Sequence, residues 1–446
     1  MGPSIREVND AQLSRARFTG AFWQRQLGVI FSFETSLVLF LFAGIYKEDP
    51  RFSWIPGDLT ILAFGISLLT GLLIIVRRGL ILRRENIMIC GLALLLILWA
   101  MLSYLWSPSL SYSIRKVGLL GSLTFWPLAA FALIVSTDRE RVRRFFLVLL
   151  LFSLWVAIET GVSLVLAARS GVRGFITTSL SATYLGLGRV LGPGLLILVS
   201  YQIYFLRGAW QKLIGAGMVL LYTFLMLGLG SRGPFVAMFI SALLIVAVNF
   251  RLGRNIRQIT AQLVGLIAVI CILIGTTFFF ASTGMELPRT LQRLQEAREQ
   301  GFEGSTRFEG YDTTWRMLEE APVFGRGIGS WPVLTGRGDI RAYPHNIFLE
   351  VFFELGLIGL LLFVGLLLYA WSLIPPVRVL RREPWMMLAV AQLLSAFLNA
   401  NISGDLNDNK LFWAFLGLVV VCALRSVPQD LDAPQTGQAA QPSSSS

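Results

Sequence analysis

The chain has 446 residues, of which 55% are hydrophobic and only 14% charged, with a mean hydropathy of +0.68. A soluble domain carries roughly a quarter charged residues, so the balance excludes an ordinary water-soluble enzyme and requires hydrocarbon as solvent for much of the chain. The formal net charge of +12 does not point to nucleic acid, because the basic residues punctuate apolar runs and form no single soluble patch.

The apolar runs are long and unbroken, without the alternation of an outer-membrane barrel strand. They predict an all-α, polytopic integral membrane protein whose spans need about 20 apolar residues each. The N-terminal segment is polar, carries Arg6, Arg15, Arg17 and Arg25, and shows no cleavable leader. Twelve transmembrane helices are predicted, over 27–46, 57–76, 86–106, 116–135, 145–168, 190–206, 213–230, 235–250, 260–283, 346–372, 385–403 and 411–424. Residues 1–283 thus hold spans one to nine, 284–344 form one long loop, and 345–425 hold spans ten to twelve. Residues 426–446, rich in Pro, Gln and Ser, are expected to be a disordered tail. Basic residues concentrate in alternate short segments, around 77–84, 139–144, 207–212, 251–257 and 378–382 as well as the N-terminus. That asymmetry predicts cytoplasmic termini and an extracytoplasmic 284–344 loop. Within this loop, 286–300 and 311–320 read as short surface helices, separated and followed by glycine turns at 301–304 and 325–329. A second outer loop, 169–189, is rich in Ser, Thr and Gly and ends at Arg189.

Most signatures of soluble enzymes are missing: there is no GxxxxGK[ST], HExxH, CxxC or GxSxG. Cys90, Cys271 and Cys422 fall in separate apolar segments and read as small hydrophobes, so no metal cluster or disulfide framework is expected. The run Gly325-Arg326-Gly327-Ile328-Gly329 follows no strand and reads as a flexible turn, not a dinucleotide fingerprint. His345 is the single histidine and stands in Tyr343-Pro344-His345-Asn346, where the long loop re-enters the membrane. A position near the start of span ten favours the neutral imidazole, which can accept a proton. Position alone leaves this role open beside simple hydrogen bonding to headgroups. Arg232, in the tight turn Gly230-Ser231-Arg232-Gly233-Pro234, and Arg189, at the mouth of span six, oppose the positive-inside bias. A guanidinium there needs an anion, and its fork suits phosphate oxygens. Snorkelling to lipid phosphate is the alternative. Arg307, Arg316, Arg326, Arg337 and Arg341 add charge in the long loop, interleaved with Trp315, Trp331 and Tyr343. They suit either a sugar phosphate or a loop resting on headgroups. Glu34 and Glu159 read as isolated acids inside spans, and Asp405 and Asp408 as an ordinary solvated turn.

The element His345-Asn346 followed after nine residues by Gly356 and then Gly359, in PHNIFLEVFFELGLIGLLLF, resembles the bacterial O-antigen ligase and polymerase family, and within it the ligases. The Ser231-Arg232-Gly233 turn and the stretch from Arg307 to Trp331 are similar to the same family. The resemblance covers 230–370, while the first 180 residues match only in hydropathy. It implies a metal- and cofactor-independent membrane glycosyltransferase of the bacterial inner membrane with a periplasmic site. Its donor would be a glycan on undecaprenyl pyrophosphate and its acceptor lipid A–core oligosaccharide, in lipopolysaccharide biosynthesis. Membrane lipids, and no nucleic acid, would be the remaining partners. On that reading His345 is the base and Arg232, with Arg189 and Arg307, the pyrophosphate clamp, while Arg316, Arg341, Tyr343 and Asn346 are further candidates. An O-antigen polymerase and a protein oligosaccharyltransferase share the donor and stay open as alternatives. A lipid-linked glycan transporter fits less well, for want of paired polar groups at mid-membrane.

Overall fold

The computed structural model describes residues 28–29, 31–170, 183–250, 306–318 and 321–423. The expected span 260–283, the surface helix 286–300, the glycine turn 301–304, Cys271 and the tail 426–446 lie outside the described residues. Regular structure among the described residues is helical, and no strand occurs there. In chain order the helices begin with α1 (Phe33–Phe42), α2 (Leu59–Arg78), α3 (Arg84–Ser103) and α4 (Ser111–Leu119). A π turn (Leu120–Thr124) carries α4 into α5 (Phe125–Leu133), followed by α6 (Arg139–Ser170), α7 (Tyr184–Tyr204), α8 (Ala209–Leu229) and α9 (Arg232–Asn249). Beyond the undescribed stretch come α10 (Thr306–Met317), α11 (Ser330–Leu334), α12 (Ile347–Ser372), α13 (Val377–Leu380), α14 (Pro384–Ala400) and α15 (Lys410–Leu418). Eight segments are long and apolar enough to cross a membrane: α2, α3, α4–α5, α6, α7, α8, α9 and α12. The protein is therefore a polytopic helical membrane protein. The three other spans expected in this region appear as shorter apolar helices: Phe33–Tyr46, Pro384–Ala400 and Lys410–Ala423.

Local chemistry explains the boundaries. The α2 helix starts where the Asp58 carboxylate accepts from the Thr60 amide at 2.8 Å. It ends with Arg77 and Arg78 before Gly79, so cations sit at the negative end of the helix dipole. Twenty residues at about 1.5 Å each give about 30 Å, the thickness of the hydrocarbon layer. Its outer face shows Leu62, Leu69, Leu72 and Val76, which is the face a lipid-exposed helix presents.

The short helices lie inside. Every residue of α15 from Phe412 to Leu418 is buried, packed on α5 and α14, and α14 packs in turn on α7 and α9. The loop before it, 401–409, is itself mostly buried and so sits among the helices. Irregular backbone is tolerated at such depth only when protein supplies its hydrogen-bond partners. The loop meets that condition, with Glu350 accepting the Leu406 amide and Asp405 that of Asp408.

The α12 helix is broken at Gly356, whose φ of 66° and ψ of −166° are far from helical. The break frees carbonyls and amides in the middle of a span, and the segment 322–327 fills it. The amides of Arg326 and Gly327 donate to the carbonyls of Phe353 and Glu354, both at 2.9 Å. The carbonyls of Pro322 and Val323 accept from Leu357 and Ile358, at 2.8 and 3.3 Å. Trp99 Nε1 donates to the Leu355 carbonyl at 2.8 Å. A Cβ on Gly356 would collide with the Val323 carbonyl and the Gly325 amide, so only glycine fits. The Gly325–Gly329 run is thus a buried wedge closed on α12 and α3, not the flexible turn expected from its composition.

A further expectation is corrected. Glu34 and Glu159 are paired, not isolated. Glu34 is fully buried and meets Arg141 at 2.8 Å and Arg144 at 3.6 Å. Glu159 meets Arg51 at 2.6 Å, and Arg51 also grips Asp49 at 2.7 Å. The α1 and α6 helices pack side by side, which brings together residues more than a hundred positions apart in sequence. Of the cysteines within the described residues, Cys422 is buried and Cys90 partly so, in keeping with apolar packing.

Candidate functional site

The loop 401–409 joins α14 to α15, and its side chains are mostly buried. Asp405, only 2% exposed, accepts from the Tyr112 hydroxyl at 3.1 Å and from Arg341 Nε at 2.9 Å. Its second oxygen takes the Asp408 amide at 2.7 Å. Asp408 receives Arg189 Nη1 at 2.9 Å and lies 3.6 Å from Arg341 Nη2. Arg189 also donates to the Ser403 carbonyl at 3.1 Å. The turn expected to be an ordinary solvated one is instead the hub on which two arginines converge. Close packing explains it: Gly404 lets the backbone approach Arg189 and Asn409. Burial works against the charged form of Asp408, yet Arg189 and Arg341 hold its carboxyl below the usual range. Among the described residues no group of three His, Cys, Asp or Glu side chains is placed to hold a metal ion.

Beneath the loop lies a buried ionic triad. Lys116 of α4 has no solvent exposure and reaches Glu350 at 2.5 Å and Glu354 at 2.7 Å, one turn apart on α12. The other Glu350 oxygen accepts the Leu406 amide at 2.9 Å, and Asn407 donates to the Lys116 carbonyl at 3.3 Å. The triad therefore ties α4, α12 and the 401–409 loop together. None of its members stood out in the sequence. The only available hint was a lysine inside an apolar run and two acids at i and i+4 in another.

His345 adopts a left-handed backbone, φ 61°, among the described residues the one non-glycine with positive φ. That conformation costs a non-glycine residue about 1–3 kcal/mol and persists only where surroundings impose it. Asn346 follows as the N-cap of α12 and accepts the amides of Phe348 and Leu349 at 3.0 and 3.1 Å. On the other side the Tyr311 hydroxyl of α10 lies 3.3 Å from the His345 carbonyl and 3.4 Å from that of Asn401. The imidazole meets the Tyr343 ring edge-on at 4.6 Å, and the Arg341 guanidinium lies over that same ring at 5.5 Å. Tyr343 and His345 are therefore locked to the end of α14 and to the arginine hub.

The remaining candidates divide. Arg189 lies one turn inside α7, which starts at Tyr184, and not at the end of a loop. Arg232 is the first residue of α9, after the left-handed Gly230 that ends α8. The preceding Ser231 abuts Gly188, beside Arg189, and the following Gly233 abuts Ile402 of the hub loop. Arg232 is thus brought to the same end of the bundle as Arg189, Arg341 and His345. Arg316 points away: its side chain is 75% exposed and pairs with Asp312 one turn before it. Arg307 falls in the first turn of α10, and its side chain lies outside the described residues.

A cavity of about 430 Å³ opens beside the hub, lined by Arg189, Arg341, Tyr343 and Asp408 on its polar side. Leu41 and Phe42 from the end of α1, with Ile45 from the turn that follows, form an apolar wall. His345 stands one ring away, behind Tyr343. A polar head on an apolar tail is the kind of molecule this lining accommodates.

The segment between α11 and α12 is fastened by Asp339. Its carboxylate accepts the Ser109 hydroxyl at 2.6 Å and the amides of Ser111 and Tyr112 at 2.8 and 3.1 Å, capping α4 from 228 residues away. These bonds pull its carboxyl down to about 2, the Ser109 hydroxyl contributing most. A depressed carboxyl stabilises the fold fully above the unfolded value of about 3.9 and loses that contribution as pH falls through about 2. Asp339→Asn is expected to melt below wild type at neutral pH. The gap should close as the pH drops from about 4 to about 2, measured as thermal unfolding in detergent.

Residues 216–364 match the family model described as O-antigen ligase. The match spans α9, α10, α11, most of α12 and the greater part of α8. It bears out the family resemblance read from His345, Asn346 and Arg232, and it supports glycan transfer of the O-antigen ligase and polymerase kind. No curated protein matches the chain.

Proposed function

We propose that this protein, which carries an O-antigen ligase family segment, transfers a glycan from undecaprenyl pyrophosphate to lipid A–core oligosaccharide at the periplasmic face of the inner membrane. The observation that carries the proposal is the cavity beside loop 401–409, where Arg189 and Arg341 stand over an apolar wall. The donor's diphosphate would take the guanidiniums, and its first isoprene units the wall.

The chemistry asks little more of the protein. The bond between the anomeric carbon and the phosphate oxygen breaks, and the electron pair leaves with the pyrophosphate. The acceptor hydroxyl oxygen forms the new bond to that carbon from the opposite face, with inversion, and its proton passes to the His345 imidazole. Arg232 and Arg189 stabilise the charge that develops on the departing diphosphate. Tyr343 holds the imidazole in place through the ring contact, and Asn346 fixes the start of α12 behind it.

The test is transfer in vitro with purified protein, undecaprenyl pyrophosphate–glycan and lipid A–core, with and without EDTA. Transfer to lipid A–core that survives EDTA is the expected result. Transfer only to a second lipid-linked glycan would make the protein a polymerase, and loss with EDTA would overturn the metal-independent clamp.

A further inference from the structure

Lys410 opens α15, where the positive end of the helix dipole makes a cation unfavourable unless an anion faces it. Its ammonium lies 5.1 Å from the centre of the Phe40 ring, and among the described residues it pairs with no carboxylate. The carboxylates acting on it are Asp408 and Asp58. Each is already engaged: Asp408 by Arg189 and Arg341, Asp58 by Lys47 at 2.8 Å. The side chain nevertheless lines the same cavity as the two arginines. Of the cations that line it, Lys47 is paired with Asp58, Arg189 with Asp408 and Arg341 with Asp405, so Lys410 is the lining cation that, among the described residues, has no ion pair. Its ammonium shares a mixed polar and apolar lining with two guanidiniums. A further cation beside two guanidiniums suits a ligand that carries more than one negative charge.

Rotameric reach distinguishes this cation from the arginines. Arg189 and Arg341 are anchored by Asp408 and Asp405, so their forks are held in place. Among the described residues Lys410 rests on the face of Phe40 and on no carboxylate, so its ammonium can follow a ligand oxygen. The wall built from Leu41, Phe42 and Leu411 begins directly beside it.

We propose that Lys410 is a binding residue for the lipid-linked diphosphate, gripping its phosphate oxygens opposite Arg189 and Arg341 while the adjoining isoprene units lie on Leu41, Phe42 and Leu411. The assignment rests on the donor reading above and names a residue that neither the family motif nor the sequence pattern marks. The matched family segment ends at residue 364, well before this residue.

The probe is geranylgeranyl pyrophosphate, titrated into the full-length protein in a neutral detergent and read by calorimetry. Inorganic pyrophosphate and phosphatidylglycerol serve as parallel ligands. Lys410→Met, which keeps the length and the contact with Phe40, is expected to weaken the prenyl diphosphate by about 10- to 100-fold, the effect of one charge-assisted hydrogen bond or two. Lys410→Arg should restore most of it, and both variants should melt like the wild type. Inorganic pyrophosphate should bind far more weakly than the prenyl form, because it makes no use of the wall. Wild-type affinity in Lys410→Met, with binding intact, overturns the role of Lys410 alone. No binding of the prenyl diphosphate by wild type overturns the donor reading itself. Equal binding of phosphatidylglycerol would make the cavity a headgroup site and overturn both.

Discussion

Replacing His345 with alanine is expected to lower glycan transfer by about 10²–10⁴, the usual contribution of a positioned general base, while leaving donor affinity nearly unchanged. On the proposed reading the imidazole acts on the acceptor and not on the diphosphate, since it sits behind Tyr343, outside the lining of the cavity that Arg189 and Arg341 share. The strained backbone at φ 61° gives the same prediction a second edge. Strain held by Tyr311 and Asn346 on either side aims a side chain that would otherwise swing away. Tyr311→Phe should therefore slow transfer by less than His345→Ala and act through the position of the loop. Arg232→Ala should lose about 10²–10³, the effect of removing one donor from a developing negative charge. Arg232→Lys should not restore it fully, since an ammonium cannot present the guanidinium's fork. Steady-state transfer with thermal unfolding as the control separates these outcomes. Near-wild-type transfer by His345→Ala would remove the histidine from the reaction.

The largest effect on stability is expected at Lys116. Lys116→Met leaves Glu350 and Glu354 side by side without a cation in a site with no exposure, and breaking a buried pair in this way costs about 3–5 kcal/mol. Glu350 also carries the Leu406 amide, so the loss spreads to the 401–409 loop and from there to Asp405, Asp408 and the arginines they hold. A triple variant, Lys116→Met with Glu350→Gln and Glu354→Gln, should recover most of the stability, because no uncompensated charge is left and glutamine can still accept from Leu406. Chemical unfolding in detergent measures both. Equal stability in Lys116→Met and wild type would show that the triad does not hold the loop.

On the proposed reading the two predictions separate residues that react from residues that position. His345 and Arg232 are partly exposed at the end of the bundle. The triad lies one layer deeper and never meets solvent. Because Glu350 bridges the layers, damage at Lys116 should appear first as instability and only secondarily as slower transfer. His345→Ala should show the reverse order.

The membrane architecture was legible in the chain because its cause is additive. Each run of about 20 apolar residues independently finds hydrocarbon as its lowest-energy surroundings, whatever its neighbours do. The helices from Leu59–Arg78 to Ile347–Ser372 accordingly fall close to their expected places. His345 was legible for a different reason, being the single histidine and lying at the edge of a span with Asn346 as a helix cap. Composition and position sufficed for both.

Tertiary structure alone decided which charges meet. Glu34 with Arg141, Lys116 with Glu350 and Glu354, and Arg341 with Asp405 are each separated by 64 to 238 residues. Sequence spacing carries no information about contacts between helices, and an acid inside an apolar run looks alike whether paired or alone. The same holds for Gly325–Gly329, whose composition suggests a loose turn and whose surroundings make it a wedge in the break of α12. It holds also for Lys410, ordinary as the first residue of a helix until Arg189 and Arg341 appear across the cavity from another part of the chain. Hydrophobic burial is a property each segment has by itself, and the sequence determined it. Charge pairing and backbone satisfaction are properties of neighbours, and those are settled only when the helices have packed.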